Sequence, residues 1–230
     1  MATNMSEAPM WDERYSTEEY VFGTDPAAFL TQHEELFVPG SETLVVADGE
    51  GRNSVYLATR GMQVTAMDVS EVGVEKARRL AIDRGATVDF RLADITTWKW
   101  APDAYDMVVA VFIQFLDPEQ RAVAFDGMQR TLRTGGRLLL HGYSVDQLAF
   151  GTGGPSDPAH LYTDTLLAEA FATMEIEELR SYEAVISEGA GHSGRSALAV
   201  ANRTDGYSRA WPSISQDVAV VLDATTITTL

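Results

Sequence analysis

The run Thr43-Leu-Val-Val-Ala-Asp-Gly-Glu-Gly-Arg-Asn-Ser-Val-Tyr-Leu-Ala58 constrains the fold of this chain more than any other. It reads as a buried strand over residues 44–47, a turn carrying Gly49 and Gly51, and a helix that starts near Arg52. Two glycines one residue apart allow positive φ and a close approach of backbone to a ligand. The N–H groups that open the next helix then point at whatever occupies the turn. Strand, glycine turn and helix in this order form the nucleotide-binding corner of a doubly wound α/β sheet.

The residues that follow strengthen this reading. A second strand over residues 63–67 ends at Asp68, 17 residues beyond Gly51. An acid at that spacing reaches a ribose hydroxyl pair from the end of the second strand. Capping the next helix is the competing role for Asp68, and Ser70 is better placed for it. A third strand, Val88–Leu92, precedes Asp94, which suits recognition of a base. Residues 105–116 hold an unbroken apolar run after a charged start, which fits a central parallel strand covered on both faces. Its C-terminal end abuts the switch point where ligands bind in open α/β sheets.

Three runs of the chain, residues 51–58, 64–70 and 92–95, resemble class I S-adenosylmethionine-dependent methyltransferases. Within that class they are most similar to the small bacterial tellurite-resistance and thiopurine-type enzymes. The resemblance covers roughly residues 11–203. It implies an α/β fold, a doubly wound, mostly parallel seven-stranded Rossmann-like sheet with an antiparallel edge strand. It also implies S-adenosylmethionine as cofactor, with S-adenosylhomocysteine as its product. The implied cofactor site comprises Trp11, Arg14, Asp48, Gly49, Glu50, Gly51, Asn53, Asp68, Val69, Asp94 and Ile95, with Ile95 near the adenine. The chain departs from the class at Val45 and Ala47, where an acid and a further glycine are usual. Asp48 and Glu50 are expected to take over the acid's task near the cofactor's ammonium group. Phe112, Gln114 and Phe115 are candidates for the wall between methyl donor and acceptor. Ordinary core is the competing reading for the two phenylalanines.

Composition narrows the acceptor. The 230 residues, 45% of them hydrophobic, suit one globular domain with a real core. No stretch approaches the roughly 20 apolar residues that span a bilayer. Residues 1–10 show no basic region followed by an apolar run, so no secretory leader is expected. Without cysteine there is no disulfide framework and no thiolate ligand or nucleophile, and a cytoplasmic home fits. Against 34 acidic residues stand 17 basic ones, a net charge of −17. Such a field repels a phosphate backbone and anionic lipid, so the expected partner is a small-molecule acceptor, not nucleic acid or membrane. Oligomeric state stays open.

The chain divides into an N-terminal segment (1–40), a methyltransferase domain (41–203) and a tail (204–230). Residues 1–10 are polar and expected to be mobile. Residues 11–15 and 20–23 interleave aromatics with charge. They serve either as a staple for the N-terminus or, as in related methyltransferases, as a lid over cofactor and acceptor. In the lid, Arg14 would pair with a carboxylate and Trp11 or Tyr15 would lie against the sulfonium or the acceptor. A short helix is expected over residues 26–30, with a turn at Pro39-Gly40. A helix over residues 70–84 is closed by Gly85. Trp98, Trp100 and Pro102 read as a loop covering the sheet edge. A helix follows over 118–132, then a turn at 133–136 and a fifth strand over 137–143. Residues 150–155 form a glycine-rich loop that suits a wall of the acceptor site better than a phosphate cradle. A helix over 161–171 and strands over 175–182 and 195–201 complete the sheet, with residues 186–194 between the two strands. Residues 218–222 are a short apolar stretch, an added strand or a subunit contact.

The candidate catalytic residues are Gln114, His141 and Tyr143. An S-adenosyl sulfonium already carries an activated methyl group, so catalysis is mostly positioning and exclusion of water. A thiol or similar soft anion needs only deprotonation, whereas oxygen or nitrogen acceptors want a base more strongly. His141, Tyr143 and His192 are the candidates for that base, His33 and His160 weaker ones. A hydrogen-bonded structural role competes for each histidine. No pair has metal-ligand spacing, so no metal is expected. A nicotinamide oxidoreductase would share the corner, but Ser54 stands where its third glycine belongs. A cofactor-binding homologue without catalysis is the other alternative, given Val45 and Ala47.

Overall fold

The computed structural model describes residues 8–189 and 192–204. Seven strands form one sheet: β1 (Glu42–Val46), β2 (Gln63–Asp68), β3 (Val88–Leu92), β4 (Tyr105–Val111), β5 (Leu132–Tyr143), β6 (Glu175–Glu188) and β7 (His192–Thr204). Their order is β3-β2-β1-β4-β5-β7-β6. The first five are parallel, and β7 runs antiparallel between β5 and the edge strand β6. The chain therefore leaves β1 in one direction to β2 and returns on its other side to β4. That reversal is the topological switch point.

Both faces of the central strands are buried, which explains their unbroken apolar runs. Leu44, Val46, Val108, Ala110, Leu138 and Leu140 face one side, under Ala124, Phe125 and Met128 of α5 (Pro118–Thr131) and Leu167 of α6 (Asp164–Ala170). Val45, Met107, Val109 and Leu139 face the other, under Phe29 and Leu30 of α2 (Ala28–Thr31) and Leu57 of α3 (Arg52–Thr59). The alternation follows from the two-residue period of a strand. Trp98 and Trp100 pack against the first of these clusters, as expected of a cover for the sheet.

Helix ends follow the capping chemistry. Ser70 accepts the Gly73 N–H at the start of α4 (Glu71–Asp83), the capping role expected of it rather than of Asp68. Asp117 and Gln120 form a reciprocal capping box on α5. The helix expected over 161–171 is shorter. Tyr162 instead forms an isolated parallel bridge beside the end of β5, its N–H donating to the Tyr143 carbonyl at 3.0 Å, and Thr163 caps α6.

The turn expected at 133–136 lies within the bounds of β5 as an irregularity. Tyr105 pairs with Leu132, and Met107 then pairs with Arg137. Most of segment 186–194, expected between two strands, belongs to a long hairpin whose pairing reaches Glu188↔His192. Its two serines, single glutamate and three glycines read as loop because an edge ladder is held by backbone bonds rather than by apolar side chains. The N-terminal stretch expected to be mobile enters α1 (Ala8–Tyr15) at residue 8. Residues 1–7, the apolar stretch at 218–222 and the rest of the tail from 205 onward lie outside the described residues. Among the described residues no helix is long and apolar enough to cross a membrane.

Candidate functional site

A cavity of about 880 Å³ opens at the carboxyl ends of β1, β2, β4 and β5. Its floor is the glycine turn after β1. Ala47, at the position of the class's further glycine, keeps a left-handed φ of 48°. A left-handed conformation at this position carries a steric cost for a residue with a Cβ. Val45, at the position of the usual acid, is buried in the core beneath the sheet. Gly51 has φ 92°, and a Cβ there would lie 2.6 Å from that of Ala77, so only glycine lets α3 and α4 close on each other.

All of the expected cofactor residues except Gly51 line this cavity, and so do Gln114 and Tyr143. Asp68, at the end of β2, accepts the Gly49 N–H at 2.7 Å and the Ser70 N–H at 2.9 Å. Burial pushes its carboxyl up to about 6 despite those bonds. Asp48 is also buried, accepting the Ser54 N–H at 3.2 Å and the Ser54 hydroxyl, and burial pushes it up to about 7. Ser54, in place of a third dinucleotide glycine, thus anchors an acid. Asp94 accepts the Thr96 N–H at 2.8 Å and hydroxyl at 2.7 Å, a turn that sets Ile95 in the wall. Asn53 accepts the Ala27 N–H at 2.9 Å.

Glu50 differs from Asp48, the other acid expected near an ammonium group. Its carboxylate pairs with Lys76 at 2.5 Å and accepts the Val21 N–H at 2.8 Å. Lys76 also donates to the carbonyls of Tyr15, Thr17 and Glu19. Asp12 accepts the Ser70 hydroxyl at 2.6 Å and the Val72 N–H at 3.2 Å. The N-terminal segment is thus fastened to α4 and the glycine turn while its Trp11, Arg14, Tyr15 and Phe22 face the cavity. Staple and wall are one structure. Trp11 stacks on Tyr15 with centroids 5.5 Å apart and meets Phe115 edge-on at 5.7 Å. Arg14 lies over the rings of Trp11 and Phe22, in no ion pair among the described residues.

The far end of the cavity is formed by Phe112, Gln114, Tyr143, residues 153–157 and His160. The glycine-rich loop therefore lines the cavity, as expected of it. Gln114 is committed to the backbone: its Nε2 donates to the Tyr143 carbonyl at 2.7 Å and its Oε1 accepts the Tyr143 N–H at 2.6 Å. Burial pushes the Tyr143 phenol up to about 12, which holds its proton on and makes it a donor rather than a base. His141 does not reach the cavity. Its side chain points to the opposite face of β5 from Leu140, stacked on Phe29 at 4.7 Å with Nε2 2.9 Å from the Tyr182 hydroxyl. A base placed there has no access to an acceptor. His33 bridges the Phe29 carbonyl and Glu178, a structural role. The His192 side chain lies outside the described residues. The glycine-rich loop and His160, a weaker candidate base, carry sequence signals, whereas Ser156 and Asp157 belong to a loop without periodicity and carry none.

The walls hold five carboxylates (Asp48, Glu50, Asp68, Asp94 and Asp157) against two guanidiniums, Arg14 and Arg52. Arg52 is itself paired with buried Glu188 at 2.7 Å. The balance favours a cationic ligand.

This strand order, with a cavity at the switch point, is the Rossmann-like fold of the class I S-adenosylmethionine-dependent methyltransferases. Residues 44–136 match the family model described as a methyltransferase domain. A ubiquinone biosynthesis O-methyltransferase of Idiomarina loihiensis is 30% identical over 112 residues, 48% of this chain and 45% of that protein. The chain spans under half the length of the curated relatives it matches. Among solved structures, the N-methyltransferase NodS of Bradyrhizobium japonicum in complex with S-adenosyl-L-homocysteine superposes with a TM-score of 0.66 at 15% identity, covering 88% of this chain and 100% of that one. TehB of Haemophilus influenzae superposes with a TM-score of 0.64 at 19% identity, covering 86% and 67%. At such identities the likeness is one of fold.

Proposed function

We propose that the protein transfers the methyl group of S-adenosylmethionine to a small-molecule acceptor, a thiol or related soft nucleophile, and releases S-adenosylhomocysteine. One observation carries this reading: residues from α1, the β1 turn, the end of β2 and the loop after β3 converge on one acidic cavity at the switch point. The methyltransferase-domain match and the methyltransferases among the relatives support it. The narrower kinship with tellurite-resistance and thiopurine-type enzymes rests on the sequence resemblance.

The residues present fit the donor. Asp68 would accept a ribose hydroxyl beside the turn, and Asp94 and Ile95 would hold the adenine. Asp48 would face the ammonium group, Arg14 the carboxylate, and Trp11 and Tyr15 would close over the sulfonium, with Val69, Asn53 and Glu50 completing the wall. When bound, the donor supplies an activated methyl open to in-line displacement. The protein's task is to align the acceptor against it and exclude water. Phe112, Tyr143 and the 153–157 loop would hold the acceptor. Residues 1–40 would act as the cover and 41–203 as the methyltransferase domain. Nucleic acid and membrane remain outside this reading, and a cytoplasmic location inside it.

Calorimetry with S-adenosylmethionine and S-adenosylhomocysteine tests the donor site; absence of heat with both overturns it. Tritiated methyl transfer to thiols, tellurite, selenite, phenols and amines tests the acceptor. Turnover confined to phenols or amines would overturn the soft-acceptor part alone.

A further inference from the structure

We propose that His160 is the general base that deprotonates the acceptor, an assignment that rests on methyl transfer as the function of the cavity. His160 closes the 3-10 turn Pro158–His160, just beyond the glycine-rich loop, and lines the cavity. The turn is fixed from three sides. Asp157 accepts the Ala159 N–H at 2.8 Å, Arg121 of α5 donates to the Ala159 carbonyl at 2.7 Å, and Gln114 Nε2 reaches the His160 carbonyl at 3.4 Å.

The ring's own contact sets its chemistry. Nδ1 of His160 lies 3.1 Å from the backbone carbonyl oxygen of Gln114. A carbonyl can only accept, so Nδ1 carries the hydrogen, and in the neutral ring Nε2 holds the lone pair. Among the described residues Nε2 has no hydrogen-bond partner, and it is not sealed from solvent. A basic nitrogen of fixed tautomer therefore stands at the acceptor end of the cavity. The competing groups there are committed: Gln114 to the Tyr143 backbone, His141 to Phe29 and Tyr182 away from the cavity, and Tyr143 to its proton. The charged and titratable groups around that end are Asp157 on the same turn, Arg121 from α5, Tyr143 of β5, and the Arg52–Glu188 pair.

In the step, the acceptor's proton passes to Nε2 and its freed electron pair forms the bond to the methyl carbon. The donor's carbon–sulfur bond breaks with its electrons left on sulfur, and the imidazolium then returns the proton to water. An alkyl thiol, with a pKa near or above about 8.5, gains most from such a base at neutral pH. An acceptor that is already ionised gains nothing.

The full-length protein and His160→Gln are compared at neutral pH with two probes, 2-mercaptoethanol, which is protonated, and thiophenol, which is largely ionised. The substitution is expected to lower kcat for 2-mercaptoethanol by about 10²–10⁴-fold, to change kcat for thiophenol by less than about 3-fold, and to leave S-adenosylhomocysteine binding intact. Equal losses for both probes, or loss for neither, would overturn the assignment. A second readout needs no turnover. In protein labelled with ¹⁵N-histidine, the signal that vanishes in His160→Gln should show a protonated Nδ1 and a lone pair on Nε2; the opposite tautomer overturns the proposal. Wild-type protein that binds S-adenosylhomocysteine but methylates neither thiol refutes the soft acceptor instead, and the base then stands or falls on the tautomer.

Discussion

The Asp68 carboxylate, at the end of β2, receives the backbone N–H of Gly49 from the neighbouring turn at 2.7 Å. One side chain thus shapes the glycine turn and presents an acid to the cavity beside it. One substitution tests both roles, each through its own readout. Asp68→Ala removes the acceptor for the N–H groups of Gly49 and Ser70, at about 1–3 kcal/mol for each buried group left unpaired. It also removes the expected ribose contact. The expected result is a lower denaturation midpoint together with S-adenosylhomocysteine affinity reduced more than about tenfold, the cost of one charge-assisted hydrogen bond. Wild-type affinity by calorimetry would remove the ribose role.

Asp48 gives the protein a pH dependence of definite sign. Its carboxyl is raised from 3.8 to about 7, mainly by burial, so the folded chain holds a proton that the unfolded chain has lost. Between about pH 4 and 7 the folded state binds more protons, so stability falls as pH rises through that window. A rise of this size corresponds to roughly 4 kcal/mol. Asp48→Asn can still accept the Ser54 N–H and should flatten the slope of denaturation midpoint against pH. A bound cation reverses the bias, since it favours the ionised carboxylates of Asp48 and Asp68. Donor binding should therefore tighten from pH 5 to 7 and release a proton, read from calorimetry in buffers of different ionisation enthalpy. Proton uptake would refute the charge assignment.

Lys76 is the hub of the N-terminal fastening. It is almost fully buried, pairs with Glu50 and donates to three carbonyls of residues 15–19, while Glu50 accepts the Val21 N–H. Lys76→Met leaves the Glu50 carboxylate buried without its cation, expected to cost about 3–5 kcal/mol in chemical denaturation. Adding Glu50→Gln should recover part of that loss. Because Tyr15 and Phe22 belong to the fastened segment, the single variant should also release bound S-adenosylhomocysteine faster in stopped-flow chase. An unchanged release rate would show that the segment does not cover the bound donor.

What sequence could and could not show follows the range of the interactions. The corner at Gly49 and Gly51, Asp68 at its spacing and Ser70 as cap are set by neighbours in the chain, and the structure has them as read. Period and run length likewise gave β4 and the core face of α4. Lys76 was invisible because an amphipathic pattern reports the apolar face and not which polar residue is drawn into it. His141 and Tyr143 differ in a way the sequence could not resolve. Both side chains leave the same face of β5, yet only the second extends past the sheet's covering helices into the cavity. Gln114 reads as a wall between donor and acceptor because an amide in an apolar run is unusual, and it does line the cavity. What the sequence does not show is the partner of its amide, the backbone of Tyr143, 29 residues away.

That Gln114–Tyr143 pairing sets a last expectation. β4 ends at Val111 while β5 continues to Tyr143, and the Gln114 amide supplies the donor and acceptor that a longer β4 would have given. The Tyr143 carbonyl also receives the Tyr162 N–H at 3.0 Å, so the cost of Gln114→Leu is set by the N–H that loses the Gln114 oxygen. That cost is about 1–3 kcal/mol for a buried donor. Gln114 also steadies the His160 carbonyl, and its own carbonyl anchors the imidazole, so the substitution loosens the acceptor end while Asp48, Asp68 and Asp94 stay in place. Gln114→Leu should therefore bind S-adenosylhomocysteine with near-wild-type affinity, denature more easily, and show a raised KM for the methyl acceptor. A donor affinity that falls in step with acceptor turnover would mean that the two ends of the cavity are one cooperative unit, and that Gln114 does not separate them.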